Sequence, residues 1–254
     1  MQYYYYPYKV FLIVSSFLMF SPVFADQQAT AIVKAAIDYW RDNSSYSVTE
    51  MIIHRTNWQR AMILQIWTQG NKKSLVRIIK PKKDRGNATL TKNDRMWTFS
   101  PKINRIIRIP ASMMNRSWMG SDFSNNEVAK ADELLKYYTH TLIGTETHNG
   151  QTVYIIKAVP FEYAPIVWGK VLLKIRADYI VLEQTFYDQD NILVKKMETL
   201  KIENMGGKRI AVIQRMQKAK KADEWTKIVV KEVEFTINVS SRMFTLSNLR
   251  NPRF

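Results

Sequence analysis

The sequence predicts a mainly β (α+β) protein, in which one antiparallel sheet carries a helix at its start and a helical insert in its middle. Apolar residues follow a helical spacing in residues 29–41, and most of the later chain alternates with period 2 between turn signals. The Asn149-Gly150 pair is a strong hairpin signal among them. We therefore expect about 10–11 strands, arranged as an antiparallel barrel or a strongly curved sheet.

The first 25 residues have the pattern of a cleavable signal peptide. Lys9 precedes an apolar run at residues 10–20, and Val23 and Ala25 occupy the −3 and −1 positions before the cleavage point. The run is shorter than the roughly 20 apolar residues that span a bilayer. We expect cleavage after Ala25, localisation in the periplasm and a single domain at residues 26–254.

The predicted N-terminal helix has one apolar face. That face consists of Ile32, Val33, Ala36, Ile37 and Trp40. Their spacing of three and four residues places them on one side of a helix. The first period-2 run, at residues 46–54, follows directly, so we expect this helix to cover one face of the sheet.

A methionine-rich segment interrupts the β pattern. Residues 111–120 read ASMMNRSWMG, and a short helix is expected at residues 125–135. Methionine is flexible and polarisable, which suits a surface that repacks around apolar ligands. The segment is therefore expected either to cover an open end of the sheet, with Gly120 as a hinge, or to pack as ordinary core.

The strands are apolar enough to need a cover on their concave side, and a space beneath that cover would hold acyl chains. The alternative is a fully packed core with no cavity. The residues expected to line the cavity and its lid are Met62, Leu64, Ile66, Trp97, Phe99, Met113, Met114, Trp118, Met119 and Phe123.

Composition narrows the functional classes. The chain has no cysteine, which excludes disulfides and thiolate metal sites. Its net charge is +16, and loss of Lys9 with the signal peptide leaves +15. Such a charge favours anionic partners, and export makes lipid headgroups or an acidic protein better candidates than nucleic acid. The charge is equally consistent with a role in solubility.

The sequence offers no recognisable catalytic chemistry. His54, His140 and His148 lack metal-ligand spacing, and neither a Gly-x-Ser-x-Gly elbow nor a glycine-rich phosphate loop occurs. We therefore expect a binding protein with no catalytic residues, no metal and no cofactor.

Four stretches carry a family resemblance. They are KINRIIRIP at residues 102–110, SWMGSDFSNN at 117–126, Tyr-Thr-His at 138–140 and Met-Phe-Thr-Leu at 243–246. Together they resemble the outer-membrane lipoprotein-sorting protein family, the LolA-like proteins, and in particular an uncharacterised branch of it. The likeness covers nearly all of the chain after the signal peptide, and Trp-Met-Gly-Ser-Asp-Phe is its most specific part.

The resemblance implies an incomplete antiparallel β-barrel with helices over an apolar cavity. It implies a monomeric periplasmic protein that carries lipoproteins or lipids by their acyl chains towards the outer membrane, with an inner-membrane transporter as a partner. The alternative is a non-transporting envelope sensor or a periplasmic partner of a membrane transporter. The resemblance also implies an arginine that controls the lid, for which Arg55, Arg60 and Arg77 are the candidates.

Overall fold

The computed structural model describes residue 1 and residues 22–252. Most of the predicted signal peptide, residues 2–21, lies outside the described residues. The helices are α1 (Pro22–Arg41), α2 (Asn125–Ala129), α3 (Glu133–Tyr137) and α4 (Leu246–Arg250). The strands are β1 (Ser44–Arg55), β2 (Trp58–Gln69), β3 (Lys73–Lys80), β4 (Ala88–Lys92), β5 (Arg95–Ser100), β6 (Arg105–Arg108), β7 (Tyr138–His148), β8 (Gln151–Pro160), β9 (Lys170–Arg176), β10 (Val181–Tyr187), β11 (Leu193–Met205), β12 (Lys208–Lys218) and β13 (Trp225–Phe235).

These 13 strands form one antiparallel sheet across the described part of the chain, in the order β6-β5-β4-β3-β2-β1-β13-β12-β11-β10-β9-β8-β7. The first and last strands pair with each other, so the middle of the chain supplies both edges. The edges are β6 and β7, which are consecutive in sequence. The sheet stays open between them, and the predicted incomplete barrel is confirmed.

Residues 109–137, called the insert below, connect the two edge strands. A 3-10 turn at Ala111–Met113, the helix α2 and the helix α3 make up its regular structure. The predicted single helix at 125–135 is thus two short helices, since Lys130 leaves helical geometry at φ −120° and ψ 75°. The chain therefore passes from one edge of the incomplete barrel to the other through a mostly irregular segment.

The strand count exceeds the expectation, chiefly because β4 was not foreseen. Its sequence, ATLTK, is short, and two of its five residues are threonines. Alternation gives a weak signal over so few residues. The structure shows that all residues from Ala88 to Thr91 are buried. They are covered because β4 lies inside the sheet, between β3 and β5.

The helix α1 presents the predicted apolar face to the sheet. Ala29, Ile32, Val33 and Ala36 are buried at the spacing of one helical stripe. They pack in one cluster with Ile156, Val171 and Leu173 of the C-terminal half of the sheet. A helix with this stripe is held mainly by tertiary burial rather than by its own propensity.

The C-terminal residues cover the other face of the N-terminal half of the sheet. Phe244 and Leu249 are buried in a cluster with Leu75 and Leu90. Adjacent to Leu75, Val76 faces the opposite side and packs in a cluster with residues of the insert. This strand is therefore buried on both faces. No helix within residues 22–252 has the length and apolar character that crossing a membrane requires.

Candidate ligand-binding cavity

An apolar cavity of about 320 Å³ lies between α1, the insert and the C-terminal half of the sheet. This volume is at the lower end of the range of about 300–1,000 Å³ that is usual for ligand pockets. The helix α1 contributes Val33, Ala36, Ile37 and Trp40; the sheet contributes Val171, Leu173, Ile175, Val181, Phe186, Met197, Ile210 and Met216; and the insert contributes Phe123, Val128 and Leu134. Such a lining suits one hydrocarbon chain.

The structure places the ten predicted site residues in four different surroundings. Phe123 lines the cavity. Met62, Leu64, Ile66, Met114, Trp118 and Met119 belong to a second apolar cluster, between the insert and the N-terminal half of the sheet. Trp97 and Phe99 belong to the cluster covered by the C-terminal residues, on the other face of the sheet. Met113 is 42% exposed.

The cavity and the second cluster are neighbours. Val128 lines the cavity and also packs against the second cluster, so this residue of α2 stands between them. The concave side of the sheet is therefore filled by the insert in its N-terminal half and left partly open in its C-terminal half.

Sequence reasoning missed the sheet residues that line the cavity. Val171, Leu173 and Ile175 alternate along β9, and Phe186 follows on β10. The alternation was visible in the sequence, but it could not say which half of the sheet α1 covers. The structure shows that α1 packs against β7 and β9, in the C-terminal half of the sheet.

The insert has an internally bonded turn at its centre. Ser117 and Ser124 form an antiparallel bridge, and the Trp118 N–H donates to the Phe123 carbonyl over 2.7 Å. Gly120 adopts φ +80° in this turn, a conformation that glycine takes readily. The Ser124 side chain then caps α2 in a capping box with Glu127. These bonds give the turn a defined shape although it contains no strand or long helix.

Arg55, at the end of β1, ties this turn to the sheet. Its guanidinium donates to the two carboxylate oxygens of Asp122 over 3.0 and 3.1 Å and to the Gly120 carbonyl over 3.0 Å. Of the other two candidate arginines, Arg60 pairs with Asp84, and Arg77 donates to the carbonyls at the end of α4. Among these three, Arg55 is thus the arginine that holds the insert.

Charged groups of the insert border the cavity on one side. Glu127 pairs with Lys195 of β11 over 2.7 Å, and the Lys130 ammonium lies 3.8 Å from the Glu133 carboxylate. Burial raises the pKa of Glu133 to about 7. Burial also raises the pKa of Tyr138 above its usual range. Polar groups elsewhere in the lining are Arg41 of α1, Gln184 and Gln214. On the side formed by the insert, Glu133 is the group whose ionisation changes near neutral pH.

The histidines are dispersed. His140 is buried in β7 and its Nδ1 lies 3.2 Å from the Thr30 hydroxyl of α1, and burial lowers the pKa of its imidazole. His54 stacks on Trp225, with 4.9 Å between the ring centroids. Within the described residues, no three His, Asp or Glu side chains are arranged to hold a metal ion.

The described residues thus form one open antiparallel sheet, with an apolar cavity between its C-terminal half, α1 and the insert. The chain is similar to a DUF1329 family protein from Desulfovibrio piger (22% identity, TM-score 0.78, covering 89% of this chain and 99% of that one). It is also similar to a putative outer membrane lipoprotein-sorting protein domain from Vibrio parahaemolyticus (19% identity, TM-score 0.76, 89% and 99%). A LolA superfamily protein from Nitrosomonas europaea shows 21% identity and a TM-score of 0.70, over 85% and 97%.

These likenesses confirm the LolA-like fold. A family model described as "Uncharacterized protein" matches residues 70–251, more than half of the chain, so the chain belongs to that family. No curated protein gives a significant match to the sequence.

Proposed function

We propose that this protein is a periplasmic carrier that binds lipids or lipoproteins through an acyl chain and delivers them towards the outer membrane. The observation that carries the proposal is the cavity of about 320 Å³, lined by apolar side chains of α1, the insert and strands β9–β12. Each methylene removed from water in such a site stabilises the complex by about 0.8 kcal/mol. In this role the protein acts by binding, without catalysis.

Localisation in the periplasm rests on the sequence of residues 1–25. Cleavage after Ala25 would remove the first residues of α1 and leave its buried face, which starts at Ala29, intact. The new first residue would be Asp26, whose carbonyl already accepts a hydrogen bond from the Thr30 hydroxyl over 3.0 Å. The mature helix would thus keep the contacts that close the cavity.

The proposed partners follow from the same features. The ligand is a lipoprotein acyl chain or a lipid. The net charge of +15 that remains after loss of Lys9 favours contact with anionic headgroups or with an acidic face of an inner-membrane transporter. Nucleic acid is not a partner in this proposal, and the protein acts as a monomer.

A cavity-filling substitution tests the proposal. Ala36 is buried on α1 and lines the cavity, so Ala36→Leu would place a larger side chain where the ligand sits. We expect the affinity for a fluorescent fatty acid to fall on the order of tenfold, because space for about two methylenes is lost. Ala31→Leu makes the same change on the exposed side of the same helix and should leave the affinity unchanged.

Mass spectrometry of gently purified protein provides the second measurement. Co-purified lipid or acylated peptide, lost in Ala36→Leu and retained in Ala31→Leu, supports the proposal. A ligand-free spectrum together with no uptake of the fatty acid would overturn it.

The alternative is a non-transporting sensor or a periplasmic partner of a membrane transporter. The small volume of the cavity favours it, since the insert already fills the other half of the concave face. Recovery of one membrane protein in equal amount with this chain, without bound lipid, would support the alternative.

A further inference from the structure

A second, smaller pocket lies beside the apolar cavity. It has a volume of about 160 Å³, and we call it the polar pocket. The residues used below are Asn115, Ser117 and Ser124 of the insert, Trp168, Lys195 of β11 and Lys218 of β12. It is smaller than pockets that enclose whole drug-sized ligands, so it suits a chemical group rather than an entire molecule.

Two ammonium groups line the polar pocket, and they differ in their hydrogen bonding. Lys195 is buried and is already engaged, since its Nζ donates to the Asp122 carbonyl over 3.2 Å and to the Glu127 carboxylate over 2.8 Å. Lys218 has a side chain 43% exposed, and its Nζ lies 3.9 Å from the Asp122 carboxylate, beyond hydrogen-bond distance. An ammonium carries three donors, so Lys218 can donate to an anion in the pocket.

The acidic groups near the pocket are compensated by other residues. Arg55 binds both oxygens of the Asp122 carboxylate, and Thr226 donates a further hydrogen bond to it over 2.7 Å. Lys195 compensates Glu127, and Lys221 pairs over 2.9 Å with Glu224, the third carboxylate near Lys218. The charge of Lys218 therefore remains as the excess positive charge, beside the hydroxyls of Ser117 and Ser124 and the amide of Asn115.

The polar pocket and the apolar cavity share a wall that is one side chain thick. Along the insert, Asp122 and Ser124 line the pocket, whereas Phe123 between them lines the cavity. Trp168, in the loop before β9, lines the pocket and contacts Phe186 of the cavity, with 5.1 Å between the ring centroids. A molecule with an anionic head and an apolar tail could thus occupy both spaces if Phe123 moves aside.

We propose that the polar pocket binds the phosphate headgroup of a lipid whose acyl chain occupies the apolar cavity. Lys218 supplies the charge, and the serine hydroxyls and the asparagine amide donate to the remaining phosphate oxygens. This inference rests on the proposed function, and it specifies the ligand as an anionic lipid.

Calorimetry with two ligands of equal chain length tests the inference, with decyl phosphate as the anionic ligand and decanol as the neutral one. Lys218→Gln should weaken decyl phosphate binding about tenfold, the effect of one charge-assisted hydrogen bond, and leave decanol binding unchanged. Lys220→Gln is the matched control, because Lys220 is exposed in the following turn and does not line the pocket. Equal melting temperatures of the two variants would show that the loss is local.

Each other outcome overturns the inference in a distinguishable way. If Lys218→Gln binds decyl phosphate like the unmodified protein while both ligands still bind, the cavity is an acyl site and the polar pocket is not its headgroup site. If inorganic phosphate binds as tightly as decyl phosphate, the pocket is a free-anion site. If neither decyl ligand binds, the proposed function fails as well.

Discussion

Arg55 donates two hydrogen bonds, of 3.0 and 3.1 Å, to the fully buried carboxylate of Asp122, and this contact links the insert to the end of β1. The two residues are 67 positions apart in the chain. The pair therefore fixes a segment that otherwise has only short helices of its own. Since it lies beside Gly120 and Phe123, it is one of the contacts that attach the cover over the cavity to the sheet, together with the Glu127–Lys195 pair.

The first prediction concerns the loss of this pair. Arg55→Leu leaves the buried carboxylate with one hydrogen-bond donor, Thr226, and with the Lys218 ammonium 3.9 Å away. Removal of one member of a buried pair costs about 3–5 kcal/mol of unfolding free energy. Arg60→Leu breaks the more exposed pair with Asp84 and should cost about 0–1 kcal/mol. Denaturant unfolding of both variants measures the difference.

Hydrogen exchange locates the effect of the same substitution. Faster exchange at residues 114–126 in Arg55→Leu, without a matching change in β9, would show that the insert has been released locally. If Arg55→Leu and Arg60→Leu lower the unfolding free energy equally, the Arg55–Asp122 pair stabilises the protein no more than the Arg60–Asp84 pair does.

The second prediction concerns Trp118. Its ring is buried in the second cluster and its indole N–H donates to the Thr89 hydroxyl over 3.2 Å, away from the cavity lining. Trp118→Ala should therefore lower the unfolding free energy by about 3–5 kcal/mol and leave acyl affinity unchanged. Leu173→Ala, which alters the lining itself, should change the affinity. Fatty-acid titration and thermal melting on the same samples separate the two quantities.

A tenfold loss of acyl affinity in Trp118→Ala would contradict this prediction. It would mean that the ligand reaches the space beneath the insert, as the methionine-rich composition of the segment suggests. The residues Met62, Leu64 and Met114 would then contact the ligand after a shift of α2.

Much of the fold followed from the sequence because its signals are local. The helical stripe of α1 and the hairpin at Asn149-Gly150 depend on residues close in the chain, and both occur in the structure. The strand β4 was not predicted, because five residues give too few alternations to distinguish a strand from a loop.

The position of the cavity depends on long-range pairing, which composition does not reveal. Met114 and Trp118 are apolar and clustered, a pattern that suits a lid and a core equally well. The structure decides between lid and core by the packing partners. Met114 and Trp118 of the insert pack against Met62 and Leu64, whereas α1 packs against Val171 and Leu173. Phe123 lines the cavity because the turn of the insert directs it away from Asp122 and Ser124.

The third prediction concerns Gly169, next to Trp168 in the wall of the polar pocket. A Cβ at this position would lie 2.3 Å from the Asp188 carbonyl oxygen, which belongs to the backbone and cannot rotate away. Gly169→Ala should therefore destabilise the protein by about 1–3 kcal/mol. In Gly144→Ala the nearest atom would be 3.9 Å away, in the flexible Ile155 side chain. This control should be neutral or slightly stabilising, and unchanged melting of both variants would contradict the close approach.

The fourth prediction concerns the pH dependence of stability that Glu133 produces. Burial raises the pKa of its carboxyl from an ordinary 4.5 to about 7. The carboxylates of Glu127 and Asp132 add to the increase, while Lys130 and a hydrogen bond from Asn126 oppose it. Between these two pH values the unfolded chain releases the proton and the folded protein keeps it. The contribution of Glu133 to stability is therefore complete below pH 4.5 and is lost as the pH rises through 7.

Glu133→Gln isolates this contribution, because the amide does not titrate. The variant should gain stability relative to the unmodified protein as the pH rises from 5 to 8, when both are measured by denaturant unfolding. The buried His140, whose pKa is lowered, contributes with the opposite sign, but it is present in both proteins and cancels in the difference. Glu203→Gln makes the same substitution at an exposed carboxyl on β11 and serves as the matched control. If the unfolding free energies of Glu133→Gln and the unmodified protein differ by the same amount at pH 5 and pH 8, the carboxyl is already ionised at pH 5. Glu133 would then not make the stability of the protein depend on pH in this range.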